Sequence, residues 1–136
     1  MKKTAKLYKA KGLYIGTSTV DGWGVFLEDP IKTGEIIEYI PVIQKVSYQD
    51  REKCGEIFTH TAFPYLDGKH FWNACGYMCM INHSEDSNVE WEIDYHNDIA
   101  VFKASKDIPK DTELYINYFK ANKDVNDNNK QTITEV

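Results

Sequence analysis

The chain has 136 residues and a formal net charge of −5. That length makes one domain, large enough to bury a core without disulfides or metal. From Gly12 to Tyr118, 18 Asp and Glu stand against 8 Lys and Arg, a balance of −10. So acidic a body argues against direct nucleic-acid binding and favours a cationic partner, such as a Lys/Arg-rich peptide.

Residues 1–11 carry Lys2, Lys3, Lys6, Lys9 and Lys11 and read as a basic, solvated arm. Leu13 to Val20 reads as strand with a break at Gly16. Asp21-Gly22 signals a turn, after which Val25-Phe26-Leu27 resumes a strand. Ile36 to Ile43 is an apolar, β-branched strand. Pro41 removes a backbone donor, so this strand is expected at an edge, or bulged there. Ser47 to about Cys54 is the one helical signal, with Ser47 as its cap. Ile57 to Pro64 alternates as a strand, and Asp67-Gly68 turns into His70-Phe71-Trp72. Val89, Trp91, Ile93 and Tyr95 alternate with Glu90, Glu92 and Asp94, which predicts a half-buried strand with an acidic outer face. Ile99 to Lys103 is its antiparallel partner, and Glu113 to Tyr118 is the last strand. Beyond Tyr118 apolar content falls, and 119–136 reads as a polar tail. The class is mostly β, with little helix: an arm over 1–11, one domain over 12–118, and the tail.

Cys54, Cys75 and Cys79 are an odd set without the paired spacing of a zinc site. They read as buried free thiols in a reducing compartment, and no metal is expected. No signal peptide or membrane-length apolar run is visible. The expectation is a soluble, intracellular protein, cytoplasmic or, for a viral or bacterial effector, in a host cell or its nucleus.

Three stretches carry the chemistry. Gly76–Asn88 runs from apolar residues, Ala74 to Ile81, into Asn82-His83-Ser84 with Asn88 beyond. Apolar walls ending in a few placed polar groups suit a ligand pocket; a strand ending in a polar loop is the plainer reading. Gly22-Trp23-Gly24-Val25-Phe26 lies near the start, and Glu113-Leu114-x-x-x-Tyr118 near the end. In this order the three resemble the SET domain family of protein lysine methyltransferases, over roughly Gly12 to Tyr118. The small stand-alone viral and bacterial members are most similar in size.

That resemblance implies a SET-domain (β-clip) fold of several small curved sheets, with the Asn82 segment and the final strand forming a pseudoknot. It implies S-adenosylmethionine as cofactor, with Gly22, Trp23, Gly24, Asn82 and His83 as its contacts and Tyr118 as the catalytic residue. The Asn82 side chain would meet the methionine moiety and the His83 backbone the adenine. Asn88 is read as a loop brace. Tyr65, Phe71, Trp72, Tyr77 and Tyr115 are candidate walls of a substrate channel, with packing the plainer reading of each. Ile116 is a further candidate channel residue, standing where many members carry Phe or Tyr. Glu85-Asp86-Ser87 replaces the usual Cys-x-Pro, Asn117 the usual Asp, and no cysteine-rich segment follows. Phe119 and the tail, or a homodimer partner, would have to cover the channel. The expected substrate is a basic protein or peptide, such as a histone-like tail; the alternative is a non-catalytic module that keeps the fold to grip a peptide.

Overall fold

The computed structural model describes residues 7–20, 22–42, 45–53, 62–64, 69–94 and 96–118. Among them three small sheets share one core. The first sheet runs in the order β1 (Tyr8–Lys9), β4 (Ile36–Pro41), β10 (Ile99–Ala104), β9 (Val89–Asp94), all antiparallel. Period-two alternation drives it: Ile40, Ala100, Phe102, Trp91 and Ile93 share one inward face and are buried, while Ile37, also buried, is the extra residue where β4 shifts register against β10.

Pro41 lies where this sheet tolerates it. Among the described residues β1 reaches only Tyr39 on β4, so Pro41 faces Ile99 on one side and no described strand on the other. The register shift falls instead between Phe102 and Lys103 on β10. The expected outer acidic face of β9 holds at Glu90 but not at Glu92. Glu92 is buried and pairs with Lys103, Oε2 to Nζ 3.2 Å. A carboxylate leaves water only with such a partner.

The second sheet carries the order β2 (Leu13–Thr17), β3 (Trp23–Leu27), β11 (Glu113–Ile116), β8 (Asn82–His83). β2, β3 and β11 pair antiparallel, while β8 lies parallel to β11, Tyr115 opposite Asn82 and Ile116 opposite His83. The loop after β8 then fastens across the same strand: Ser84 N donates to Ile116 O and Asn88 N to Tyr115 O. Asn88 is buried and braces this crossing, its Nδ2 donating to Glu113 O and its Oδ1 accepting from Tyr115 N. The interlocked Asn82 segment and closing strand match the expected pseudoknot.

The third sheet has the order β5 (Lys45–Ser47), β7 (His70–Asn73), β6 (Ala62–Pro64). It packs an aromatic cluster into the core. Phe63 lies 5.0 Å from Trp72 and meets Trp91 edge-on at 5.1 Å and Phe102 at 5.8 Å. Edge-to-face and offset pairs add to the burial of such rings.

Three readings of the sequence change here. The helical signal at Ser47 forms a 3-10 helix, Tyr48–Lys53, with Ser47 Oγ accepting from Gln49 N at 3.2 Å. The described end of the basic arm is part of the fold: β1 pairs with β4 and Ala10 is buried. The apolar run before Asn82 is not a strand but a second 3-10 helix, Tyr77–Met80. Its cause is Glu38, a buried carboxylate that accepts from Tyr77 N at 3.0 Å and Met78 N at 2.9 Å. Those are helix-start donors with no partner inside the helix. Gly76 precedes them because a Cβ there would enter the Glu38 carboxylate.

This turn also alters the cysteine reading. Cys75 is exposed and Cys79 only partly buried; Cys54 lies outside the described residues. Burial, then the neighbouring Cys75 and Glu38, push the Cys79 thiol up from its ordinary range. Alkylation at neutral pH is therefore expected to mark Cys75 well before Cys79, read by peptide mass mapping. Equal rates would contradict the burial described.

Candidate functional site

The second sheet gathers the three motifs at one end. β3 brings Trp23, β8 brings Asn82 and His83, and β11 brings Glu113 and Tyr115. Tyr118 follows two residues after β11 ends.

Asn82 Nδ2 donates to Trp23 O at 3.1 Å and to Glu113 Oε2 at 2.9 Å. Both partners are acceptors, so the amide nitrogen must face them and the carboxamide oxygen turns the other way. His83 Nδ1 accepts from Tyr118 N at 2.9 Å, and the two rings lie 5.0 Å apart. That bond requires the proton, when the ring is neutral, on Nε2. Tyr118 OH donates to Ile81 O at 2.6 Å. The phenol and the peptide before Asn82, distant in sequence, are thus in direct contact.

The two glycines do different work. Gly22 has φ 48°, a conformation that favours glycine, with open space around it. At Gly24 a Cβ would enter the Glu113 carboxylate. On that side the glycine is closed by protein.

Glu113 is the residue that sequence reasoning did not single out. It is buried, and its carboxylate accepts from Ser18 Oγ, Asn82 Nδ2 and Tyr115 OH, each at 2.9 Å. The available signal was its place in the Glu-Leu-x-x-x-Tyr stretch; alternation alone gives no reason for a charge beside buried Leu114 and Ile116.

The proposed wall residues separate. Tyr115 is at the site, held by Glu113. Trp72 and Ile116 are fully buried in the core, and Phe71 is buried in the third sheet, 5.3 Å from Tyr48. Tyr77 sits at the far end of the second 3-10 helix, with Lys9 Nζ 5.9 Å from its ring centre. Tyr65 and Phe119 lie outside the described residues.

Desolvation, then the bond to Glu113, raise the Tyr115 phenol above its ordinary value. A raised acid contributes stability that is intact below its unfolded pKa, about 10, and lost as pH rises through the higher folded value. Wild type should therefore lose more melting temperature than Tyr115→Phe as pH climbs past that range. Parallel pH profiles of the two proteins would contradict the Glu113 contact.

Trp23, Met80 and Tyr118 are 61%, 38% and 41% exposed. Each lies within two residues, or one hydrogen bond, of Asn82 or the peptide before it. Apolar side chains exposed beside a hydrogen-bonded amide are the kind of lining a ligand site uses.

The SET domain model matches residues 22–119, and the chain belongs to the SET-domain family. Among solved structures it is similar to a Plasmodium falciparum protein proposed to be a histone methyltransferase, with 31% identity and a TM-score of 0.61 over 80% of this chain and 94% of that one. It is similar also to a humanized mutant of the Chaetomium thermophilum Polycomb Repressive Complex 2 bound to an inhibitor, 28% identical, TM-score 0.65. A third likeness is to that complex in an autoinhibited conformation bound to S-adenosylmethionine, 26% identical, TM-score 0.62. In both cases the match covers 80% of this chain and 15% of the larger one. No curated protein matches the chain. No helix among the described residues is long and apolar enough to cross a membrane.

Proposed function

We propose that this protein is a protein lysine N-methyltransferase that takes its methyl group from S-adenosylmethionine. One observation carries the reading: Tyr118 OH lies 2.6 Å from Ile81 O, beside an Asn82 amide already oriented by two acceptors. Family membership and the cofactor-bound neighbour support it.

The residues fit that cofactor on two counts. The Asn82 amide, its Nδ2 held by Trp23 O and Glu113 Oε2, is a fixed polar group of the kind a methionine moiety would meet. The exposed faces of Trp23, Met80 and Tyr118 offer apolar cover to a ligand with a flat, partly apolar body. When bound, the cofactor supplies an electrophilic methyl on a positively charged sulfur.

The chain's own residues do the rest. The Tyr118 hydroxyl donates to Ile81 O, which fixes where the phenol oxygen stands. From there it can accept an N–H of an incoming amine and hold the nitrogen in line. The Ile81 carbonyl adds a second fixed dipole at the same spot, preorganised by the β8–β11 pairing. The lysine must arrive uncharged, and loss of water beside a positive sulfur favours its neutral form. No side-chain nucleophile is needed.

The acidic body makes a basic peptide the natural substrate class, a histone-like tail among them. The test is methyl transfer to lysine peptides with basic or acidic flanks across a salt series. Basic flanks should raise kcat/KM at low salt, with the advantage shrinking as salt screens it. Insensitivity to both flank charge and salt would overturn this substrate class.

A further inference from the structure

We infer that the outer face of the first sheet carries a second binding site, an open pocket that takes a methylated lysine side chain of a basic peptide. The inference does not draw on the methyl-transfer reading, since the methylated peptide can be supplied from outside.

The pocket is lined by Tyr8, Glu35, Ile36 and Tyr39 and measures about 530 Å³. Strand pairing builds it. Tyr8 on β1 lies directly opposite Tyr39 on β4, and directly opposed side chains share one face of a sheet. Their neighbours Lys9 and Glu38, also opposite each other, take the other face. There Glu38 accepts from Tyr77 N and Met78 N. The pocket thus faces away from the 3-10 helix that leads to Asn82. Ile36 joins Tyr39 because of the register shift. Phe102 pairs with Glu38 and Lys103 with Ile36, so Ile37 is passed over and Ile36 turns outward.

The fold itself makes little use of these side chains. Among the described residues neither tyrosine hydroxyl is hydrogen-bonded and neither ring meets another aromatic. Tyr8 and Ile36 are exposed and Tyr39 is half-buried. Glu35 is exposed, and its Oε1 accepts from Lys32 N at 2.8 Å. Its Oε2 has no partner among the described residues. Lys103, opposite Ile36, is a cation on the same face, but its Nζ is engaged by Glu92 at 3.2 Å.

Two ring faces, a branched aliphatic side chain and one carboxylate oxygen select among cations. Ring faces attract a cation through their quadrupole. A bare lysine ammonium is compact and strongly hydrated, so leaving water costs it. Each added methyl replaces an N–H with an apolar group that the rings and Ile36 can cover. One or two methyls still leave an N–H for the Glu35 carboxylate; three leave none. An open pocket cannot wrap a small free ion, but it admits a side chain whose backbone stays outside. The acidic body, −10 over Gly12 to Tyr118, favours basic residues flanking that lysine.

The test is calorimetry on the full chain with a basic peptide whose one lysine is unmodified, mono-, di- or trimethylated. Carbon NMR of the Ile36 methyls and the tyrosine rings accompanies it. The dimethylated peptide should bind about fivefold or more tighter than the unmodified one, and should shift the Ile36 and Tyr39 signals. Tyr8→Ala and Tyr39→Ala should each erase that advantage. Tyr8→Phe should keep it, because the ring remains and the hydroxyl has no partner to lose. Glu35→Gln, whose amide oxygen can still accept from Lys32 N, should remove the preference for the dimethylated over the trimethylated form. Equal affinity for all four peptides, or Tyr8→Phe as harmful as Tyr8→Ala, would overturn the inference. So would signal changes at Tyr118 with none at Ile36, which would place the peptide at the methyl-transfer site. Tetramethylammonium chloride binding as tightly as the peptide would make this a free-ion site. Ile36 shifts on changing Lys2, Lys3 and Lys6 to Gln, without any response to peptide, would make the chain's own basic arm the occupant. Either of these results also overturns it.

Discussion

Tyr118→Phe is expected to slow methyl transfer by about 100-fold or more while leaving S-adenosylmethionine affinity within a few-fold, since correct positioning can carry several kcal/mol of a barrier. The phenol reaches the site through one hydroxyl. It donates to Ile81 O at 2.6 Å, and in the proposed reaction its oxygen would accept from the amine. Phenylalanine keeps the ring beside His83 and removes that acceptor. The backbone bond from Tyr118 N to His83 Nδ1 does not depend on the hydroxyl, so the strand end should stay in place. Single-turnover transfer of labelled methyl separates this from binding. An unchanged rate, or a matching loss of affinity, would remove Tyr118 from the chemistry.

Gly24→Ala is expected to be the most damaging single-atom change. Its Cβ would enter the Glu113 carboxylate. That carboxylate cannot swing aside freely, because Ser18, Asn82 and Tyr115 hold it. Moving it would strip buried partners, at about 1–3 kcal/mol for each group left unsatisfied. Cofactor affinity should fall together with thermal stability. Gly22→Ala is the useful contrast. There φ is 48° with nothing nearby, so the cost is conformational, about 1–2 kcal/mol, and no collision follows. Melting curves and calorimetry on both variants check this. Equal behaviour of the two would contradict the distinction drawn between the glycines.

Much of the architecture could be read from residue pattern. The alternation of Val89 to Asp94, the β-branched run at Ile36, and the strand Ile99 to Lys103 all report one buried face, and period two is a local signal. The parallel β8–β11 pairing was not local. It joins residues more than thirty positions apart through a two-residue strand, and only the family resemblance pointed to it. The Ala74–Ile81 run misled for a similar reason. Its hydrophobicity fits a strand, but a distant carboxylate, Glu38, captures its amides and winds it into a 3-10 helix. Glu92 and Glu113 show the same limit. A charge at an alternating position looks solvated until its partner is known, and Lys103, Ser18, Asn82 and Tyr115 come from other strands. Trp72 was legible as aromatic but not as the centre of the core, because aromatic walls and aromatic packing have the same composition.

In the proposed reaction Tyr118, Ile81 and Asn82 together form a methyl-transfer site for lysine. The most direct measurement incubates the wild-type protein with S-adenosylmethionine labelled on its methyl group and a lysine-rich basic peptide, then identifies the labelled residue by fragmentation mass spectrometry. Label on a lysine side-chain nitrogen is the result this account predicts. Cofactor that neither binds nor gives up its methyl, or label found only on residues other than lysine, would contradict it.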